Sequence, residues 1–143
     1  MLVLAARDLK RLIDAAEAAY PDEACALLVG HRDGGLSGRV TRVEIGANVA
    51  EDRRRRFEVD PGLRIGLERE LRGGPLQVIG VWHSHPDGLP EPSAADRASV
   101  FDPGLLWLVT AVAAGQAIHT GAFYLSDWTG GFRPLPLSIV ATV

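Results

Sequence analysis

The sequence predicts a mixed α/β domain in which helices pack against a single sheet. Two segments carry apolar residues at helical spacing, and several short apolar runs have the length of buried strands. Helices alternate with strands in the first part of the chain, whereas strands dominate the later part. The 143 residues suit one domain, 1–143, and hydrophobic residues make up 47% of them, enough for a core without disulfides.

The first predicted element is a helix from about Asp8 to Tyr20, with Asp8 as its N-cap and Pro21 ending it. Its apolar face is formed by Leu9, Leu12, Ile13, Ala16 and Tyr20. The run from Ala24 to Gly30 that follows is apolar at every position. Such a run, closed by glycine, predicts a strand that is buried on both faces.

A turn is predicted from His31 to Gly38, followed by a more exposed strand from Arg39 to Gly46. The next segment is polar and contains four consecutive arginines, Arg53 to Arg56. A solvated loop explains this charge run, and a patch for an acidic partner is the alternative. Phe57 and Val59 indicate another short strand.

The second helix is predicted to begin with Asp60 as N-cap and Pro61 at the first helical position, and to end at Gly73-Gly74. The remaining predicted elements are strands at Leu76–His83, Leu105–Ala114, Gln116–Ser126 and Phe132–Val140, and a short helix at Ser93–Val100. Pro134 and Pro136 interrupt the last strand, which favours an edge position.

Charge and cysteine content narrow the class of protein. The net charge of −3 does not favour nucleic acid or an anionic membrane as a partner. Cys25 is the single cysteine, so no disulfide can form within the chain, as in a reducing compartment. We find neither a signal peptide pattern nor an apolar run near the ~20 residues that cross a bilayer, and expect a cytoplasmic protein.

Two histidines stand two positions apart at the end of a predicted strand, His83 and His85. Side chains at this spacing project from the same face of a strand. Ser93 is a natural N-cap and places Asp96 in the first turn of the next helix, which can fold back toward the strand end. Two imidazoles and one carboxylate leave a fourth position open, the pattern of a catalytic zinc site.

A water molecule activated by a metal needs a proton acceptor, and Glu23 is the best candidate. It stands immediately before the first buried strand. If that strand pairs beside the strand ending in His83, Glu23 lies within reach of the open position. The alternative is an ordinary solvated loop acid, because sequence does not show the geometry that a general base requires.

The pattern resembles that of the JAMM (MPN-plus) metalloisopeptidase family: an upstream glutamate, His-x-His, seven residues, serine, two residues and aspartate. His83, His85, Ser93 and Asp96 match this spacing without a gap. Further similarity is carried by the segment Pro21 to Gly30 and by Asn48, Phe57 and Asp60-Pro61. The chain has Ala26 where family members usually have glycine, a position that bears no proposed ligand.

The resemblance implies an MPN-type fold whose sheet is curved and partly barrel-like. It also implies one Zn2+ per chain, held by His83, His85 and Asp96, with Glu23 as general base and Ser93 helping to hold the oxyanion. The activity it implies is hydrolysis of a peptide or isopeptide bond at the Gly-Gly tail of a ubiquitin-like or sulfur-carrier protein. The chain lacks the long insertions with which eukaryotic members grip ubiquitin, so ubiquitin itself is not the expected substrate.

Several alternatives stay open at this point. Ser93 and Asp96 can form a helix-capping box that competes for the same oxygens, and Trp82 can pack beneath the metal site or line a groove for the tail. Related domains in cell-wall hydrolases suggest a peptidoglycan peptidase, although the chain shows no export signal. A metal-free scaffold of the same fold is the non-enzymatic alternative, and the ligand set also suits cobalt, nickel or iron.

Overall fold

The computed structural model describes residues 1–126 and 131–143, which form three helices and eight strands. The helices are α1 (Ala6–Ala19), α2 (Pro61–Leu71) and α3 (Ala94–Ala98). The strands are β1 (Leu2–Ala5), β2 (Cys25–Arg32), β3 (Gly38–Gly46), β4 (Gln77–His85), β5 (Leu106–Ala113), β6 (Gln116–Leu125), β7 (Phe132–Leu135) and β8 (Leu137–Val140).

All eight strands belong to one sheet in the order β7-β6-β5-β4-β2-β3-β1-β8. The β4–β5, β1–β3 and β1–β8 pairs are parallel and the others antiparallel, so the sheet is mixed. β7 and β8 lie at opposite ends of this order, yet only Pro136 separates them along the chain. The sheet must therefore curl until its two edges approach each other, which gives the nearly barrel-shaped form that the resemblance implied.

The main core lies between the sheet and α1, where Leu12 and Ala16 pack with Leu4, Leu108 and Trp82. Trp82 is fully buried there, on the face of β4 opposite to its neighbours Val81 and His83. It therefore packs in the α1 core and does not line a groove. A second cluster on the other face surrounds the end of β4, and a third lies under α2.

The start of the chain departs from the prediction. α1 begins at Ala6, its N-cap is Ala5 and no side chain caps it, so the prediction of Asp8 as N-cap is wrong. The reason is β1, a four-residue strand that the sequence reading missed. Its place is fixed by parallel pairing with β3 and the distant β8, and the helix follows it without a loop.

Three other boundaries also differ. β2 continues to Arg32, so the predicted turn at His31–Gly38 is shorter. Val59 forms only an isolated bridge with Asn48 in place of the short strand that was predicted. The single strand predicted at Phe132–Val140 is two strands that pair with different partners.

The predicted start of α2 is confirmed, because Pro61 is its first residue and the Asp60 carboxylate accepts a hydrogen bond from the Gly62 N–H at 3.0 Å. The break of the last predicted strand at Pro136 also follows the expectation that proline favours sheet edges. Among residues 1–126 and 131–143, none of the helices has the length and apolar character needed to span a membrane.

Candidate metal centre

The antiparallel pairing of β2 with β4 brings the start of one strand beside the end of the other. Cys25 lies opposite His83 in this pairing. The pairing continues one step further, since the Ser84 N–H donates to the Ala24 carbonyl at 3.1 Å and the Ala24 N–H donates to the Ser84 hydroxyl at 2.8 Å. Glu23 therefore reaches the end of β4 that carries the two histidines, as the sequence argument required.

Four side chains converge at this end of the sheet: Glu23, His83, His85 and Asp96. One potential ligand atom from each lies within 4.8 Å of those of the others, and all four residues are buried. Oδ2 of Asp96 is 3.0 Å from Nε2 of His83 and 2.8 Å from Nε2 of His85. The two Nε2 atoms are 2.9 Å apart.

Asp96 reaches the histidines from the first turn of α3, which begins with a capping box. The Ser93 hydroxyl accepts a hydrogen bond from the Asp96 N–H at 3.0 Å, and the Ser93 N–H donates to Oδ2 of Asp96 at 2.8 Å. The capping role that the sequence left open is therefore present, and it does not turn the carboxylate away from the histidines. The oxygen that closes the box is also the one that faces both imidazoles.

The orientation of His85 is fixed by a backbone carbonyl. Its Nδ1 lies 2.9 Å from the carbonyl oxygen of Leu89, which can only accept a hydrogen bond, so Nδ1 carries the hydrogen. In the neutral ring Nε2 then has its lone pair toward the cluster, the arrangement typical of metal-binding histidines. Sequence reasoning missed Leu89, and since only its main chain is used, its side chain carried no signal.

His83 is held by aromatic rings. Phe57 stacks on its imidazole with centroids 4.3 Å apart, and Trp107 meets it edge-on at 5.3 Å. Its Nδ1 is buried and has no partner among the residues that the structure describes. Complete burial lowers the pKa of His83, which favours the neutral imidazole that binds metals.

The pKa values of Asp96 and His85 shift because the two side chains face each other. Burial opposes ionisation of Asp96, but hydrogen bonds from His83 and His85 hold its pKa well below the usual range. Burial also lowers the pKa of His85, yet the hydrogen bond and charge of Asp96 outweigh it and the net shift is upward. The cluster therefore contains an ionised carboxylate.

Glu23 has an unusual environment for a carboxyl group. The residue is 5% exposed, and its Oε1 is buried without a hydrogen-bond partner among the described residues. Burial, reinforced by the negative charge of Asp96, raises the pKa of Glu23 to about 8. A cation beside it would favour the ionised form and lower this pKa toward neutrality.

The donor set fits a zinc ion. Two imidazole nitrogens and one carboxylate oxygen are the ligands of many catalytic zinc sites. Their separations of 2.8–3.0 Å are slightly shorter than the roughly 3.3 Å that tetrahedral bonds of about 2.0–2.1 Å imply, so a small outward shift would accommodate the ion. Oε1 of Glu23, which has no partner among the described residues, adds a further polar atom beside these donors.

A cavity of about 800 Å³ lies near the cluster but is not lined by any of its four residues. Phe57 links the two, because it lines the cavity and stacks on His83. The other walls come from the loop between β3 and α2, from α2 itself and from the segment after α3, including Glu51, Asp52, Arg56, Glu58, Arg64, Ile65 and Phe101.

Comparison with known proteins identifies the family. The model of Prok-JAB, the prokaryotic homologs of the JAB domain, matches residues 5–125. The chain belongs to this family. Desampylase of Haloferax volcanii is 30% identical over 120 residues, which amount to 83% of this chain and 79% of that protein. The family that the spacing of His83, His85, Ser93 and Asp96 predicted is thereby confirmed.

Solved structures of similar proteins agree with the Prok-JAB fold. A protein from Desulfitobacterium hafniense, known from its solution structure, has a TM-score of 0.83 at 27% identity and covers 98% of this chain and 93% of its own. A protein from Salinibacter ruber has a TM-score of 0.73 at 26% identity and covers 98% of this chain and 92% of its own. A JAB1/MPN domain protein from Archaeoglobus fulgidus shares the fold, with a TM-score of 0.59 at 21% identity. It covers 98% of this chain and 99% of its own.

Proposed function

We propose that this Prok-JAB protein is a zinc-dependent peptidase or isopeptidase that cleaves at the Gly-Gly tail of a ubiquitin-like or sulfur-carrier protein. The family and the Haloferax relative indicate a hydrolase. The observation that carries the finer proposal is the buried convergence of Glu23 with His83, His85 and Asp96. Buried ionisable groups are rare unless they are paired, bind metals or serve in chemistry.

In this proposal His83, His85 and Asp96 hold one Zn2+ per chain. When bound, zinc polarises a carbonyl group and lowers the pKa of water toward ~7. The Leu89 carbonyl orients the imidazole of His85, and the Ser93 N–H orients the carboxylate of Asp96, as outer-shell groups commonly do. The same carbonyl fixes the hydrogen of His85 on Nδ1.

Glu23 acts as general base and then as general acid. Its Oε1 takes a proton from the attacking water and returns it to the departing amine, which requires a pKa near the working pH. The raised pKa of about 8, lowered by a neighbouring cation, meets this requirement. The buried side chain and its free oxygen favour this role over that of a solvated loop acid.

Ser93 helps to hold the oxyanion that forms on the scissile carbonyl. Its hydroxyl oxygen accepts from the Asp96 N–H, which leaves the hydroxyl hydrogen free to donate. The residue is half-buried at the start of α3, beside Asp96. A donor fixed in this way stabilises developing negative charge without reorganisation.

The cavity beside Phe57 is the proposed site for the substrate tail. It reaches the cluster only through Phe57, which stacks on His83, and its mixed walls of acidic, basic and apolar side chains suit an extended segment of a protein. Glycines at the end of such a tail allow the main chain to approach the metal closely. The name of the Haloferax relative, desampylase, denotes action on a ubiquitin-like modifier and supports this class of substrate.

Mass spectrometry of candidate substrates tests the proposal. The zinc-loaded protein is incubated with ubiquitin-like and sulfur-carrier proteins that carry a C-terminal extension after Gly-Gly, and with matched proteins in which Gly-Gly is replaced by Ala-Ala. We expect trimming after Gly-Gly only, and at least about 100-fold slower trimming by the Glu23→Gln variant. Cleavage of a cell-wall peptide without trimming of any tail would favour a peptidoglycan peptidase, and failure to take up zinc would favour a scaffold.

A further inference from the structure

Asn48, the only asparagine in the sequence, forms four hydrogen bonds through its side-chain amide. Nδ2 donates to the carbonyl oxygens of Glu23 and Arg56, each at 3.0 Å. Oδ1 accepts from the N–H groups of Ala50 and Glu58, each at 3.0 Å. A side-chain amide offers two donor hydrogens and an oxygen with two lone pairs, so the hydrogen-bonding capacity of Asn48 is fully used.

Hydrogen bonds fix the backbone N–H and carbonyl of Glu23 and the N–H of the next residue. Its N–H donates to the Arg53 carbonyl at 2.7 Å, its carbonyl accepts from Asn48, and the next N–H, that of Ala24, donates to the Ser84 hydroxyl at 2.8 Å. The carboxyl oxygen Oε1 of the same residue has no partner among the described residues. The backbone is therefore fixed while the side chain stays available for chemistry.

We propose that Asn48 is a positioning residue that aligns Glu23 by joining its backbone to the loop between β3 and α2. This inference rests on the proposed function, in which Glu23 transfers the proton. The bonds of Oδ1 to Ala50 and Glu58 close that loop, and both residues line the cavity. One amide thus sets the wall of the cavity and the position of the general base together.

The two roles of Asn48 use different atoms: the nitrogen bonds to Glu23, and the oxygen closes the loop. Asn48→Asp keeps an acceptor for Ala50 and Glu58 but replaces the donor with an oxygen that faces the carbonyls of Glu23 and Arg56. Asn48→Asp therefore loses the bonds to Glu23 and Arg56 and keeps those to Ala50 and Glu58, whereas Asn48→Ala loses all four. Ser84 holds the neighbouring amide, but it lies between two proposed ligands and cannot be changed independently of them.

The matched control is Glu17→Ala. Glu17 also makes a side-chain-to-backbone hydrogen bond, from the Ala117 N–H at 2.9 Å, but between α1 and β6 and outside the cluster. Removing this bond in Glu17→Ala shows how much the loss of one side-chain-to-backbone hydrogen bond lowers stability without touching the cluster. Zinc content, melting temperature, kcat, KM and amide hydrogen exchange are measured for all variants.

In Asn48→Asp we expect exchange at the Glu23 amide to rise at least tenfold and kcat to fall about 10–100-fold, the range typical of outer-shell residues. KM should stay within about twofold, with one zinc retained, whereas Glu17→Ala should leave kcat and this exchange unchanged. Unchanged exchange and kcat in Asn48→Asp would overturn the proposal, as would loss of zinc, which indicates a structural role only.

The wild-type protein gives a test that does not depend on folding of the variants or on activity. Because the chain has one asparagine, its side-chain amide hydrogens can be followed by NMR. We expect them to exchange at least tenfold more slowly than a free amide. Exchange at the free rate would overturn the role of Asn48. Absence of tail cleavage with slow exchange would count against the proposed function and leave the link from Asn48 to Glu23 intact.

Discussion

Ser93 and Asp96 bind each other reciprocally, each through one side-chain oxygen and one backbone N–H, at 3.0 and 2.8 Å. The box that begins α3 also directs the Asp96 carboxylate toward His83 and His85. A local folding signal therefore positions a proposed metal ligand. The Ser93 hydroxyl accepts a hydrogen bond in this box, so its hydrogen remains available for the proposed contact with the oxyanion.

Replacing Ser93 by alanine should reduce turnover far more than stability. Loss of an oxyanion donor raises the barrier by about 2.7–4 kcal/mol, which is a fall in kcat of roughly 10²–10³-fold. Loss of an N-cap destabilises by about 1 kcal/mol, and the Ser93 N–H still holds Asp96. The control is Asp60→Ala, which removes the cap of α2 and should leave kcat nearly unchanged. Equal effects of the two variants on kcat would rule out the catalytic contact.

Glu23→Gln should abolish proton transfer and retain the metal. We expect kcat to fall by about 10²–10⁴-fold, the typical contribution of general acid–base catalysis, with zinc still at one per chain by elemental analysis. The matched control is the neighbouring Asp22→Asn, which loses only an exposed ion pair with Arg53 at 3.5 Å. Full activity of Glu23→Gln would show that another group takes the proton.

The two tryptophans on opposite faces of the sheet should respond differently. Trp82→Phe removes a hydrogen bond to Thr110 at 2.9 Å and leaves a gap in the α1 core, so it should cost about 1–3 kcal/mol in urea unfolding without affecting zinc binding. Trp107→Phe changes the ring against His83 and should weaken zinc binding. Zinc loss in Trp82→Phe would contradict its assignment to the far face.

Cys25 should make stability fall at high pH. Burial, with a smaller effect of Glu23, raises the pKa of this thiol from 9.0 to about 12 in the folded protein. The unfolded chain therefore loses its proton first, and the stabilisation present below pH 9 is lost as the pH rises toward 12. Urea unfolding between pH 8 and 11 should show a smaller decline for Cys25→Ala. Rapid reaction of native Cys25 with a thiol reagent at pH 8 would show that the thiol is accessible.

The local parts of the site could be predicted from sequence. Alternation along a strand puts His83 and His85 on one face, and the Ser93 cap puts Asp96 in the first helical turn, because both rules act over a few residues. The convergence of Glu23 with these residues depends on the β2–β4 pairing across about 60 residues, which no local pattern reveals. The roles of the four residues stay predictions until they are measured.

The errors in the fold have the same origin. β1 is too short to show alternation, and its position depends on β8 at the far end of the chain. The strand predicted at Phe132–Val140 is divided because Pro136 lies where the chain passes from one sheet edge to the other. The contact of Trp107 with His83 likewise arises only when distant segments meet. The contact of the Leu89 carbonyl with His85 is local, but the main chain makes it and no side-chain pattern reveals it.

Anomalous X-ray scattering at the zinc edge tests the central claim most directly. Crystals of the zinc-loaded protein should show one peak per chain, bonded to Nε2 of His83, Nε2 of His85 and the carboxylate of Asp96. The peak should be absent or much weaker in Asp96→Asn, whose amide can still close the cap of α3. A wild-type protein with no peak there under excess zinc, or with a peak bound by other residues, would contradict the account.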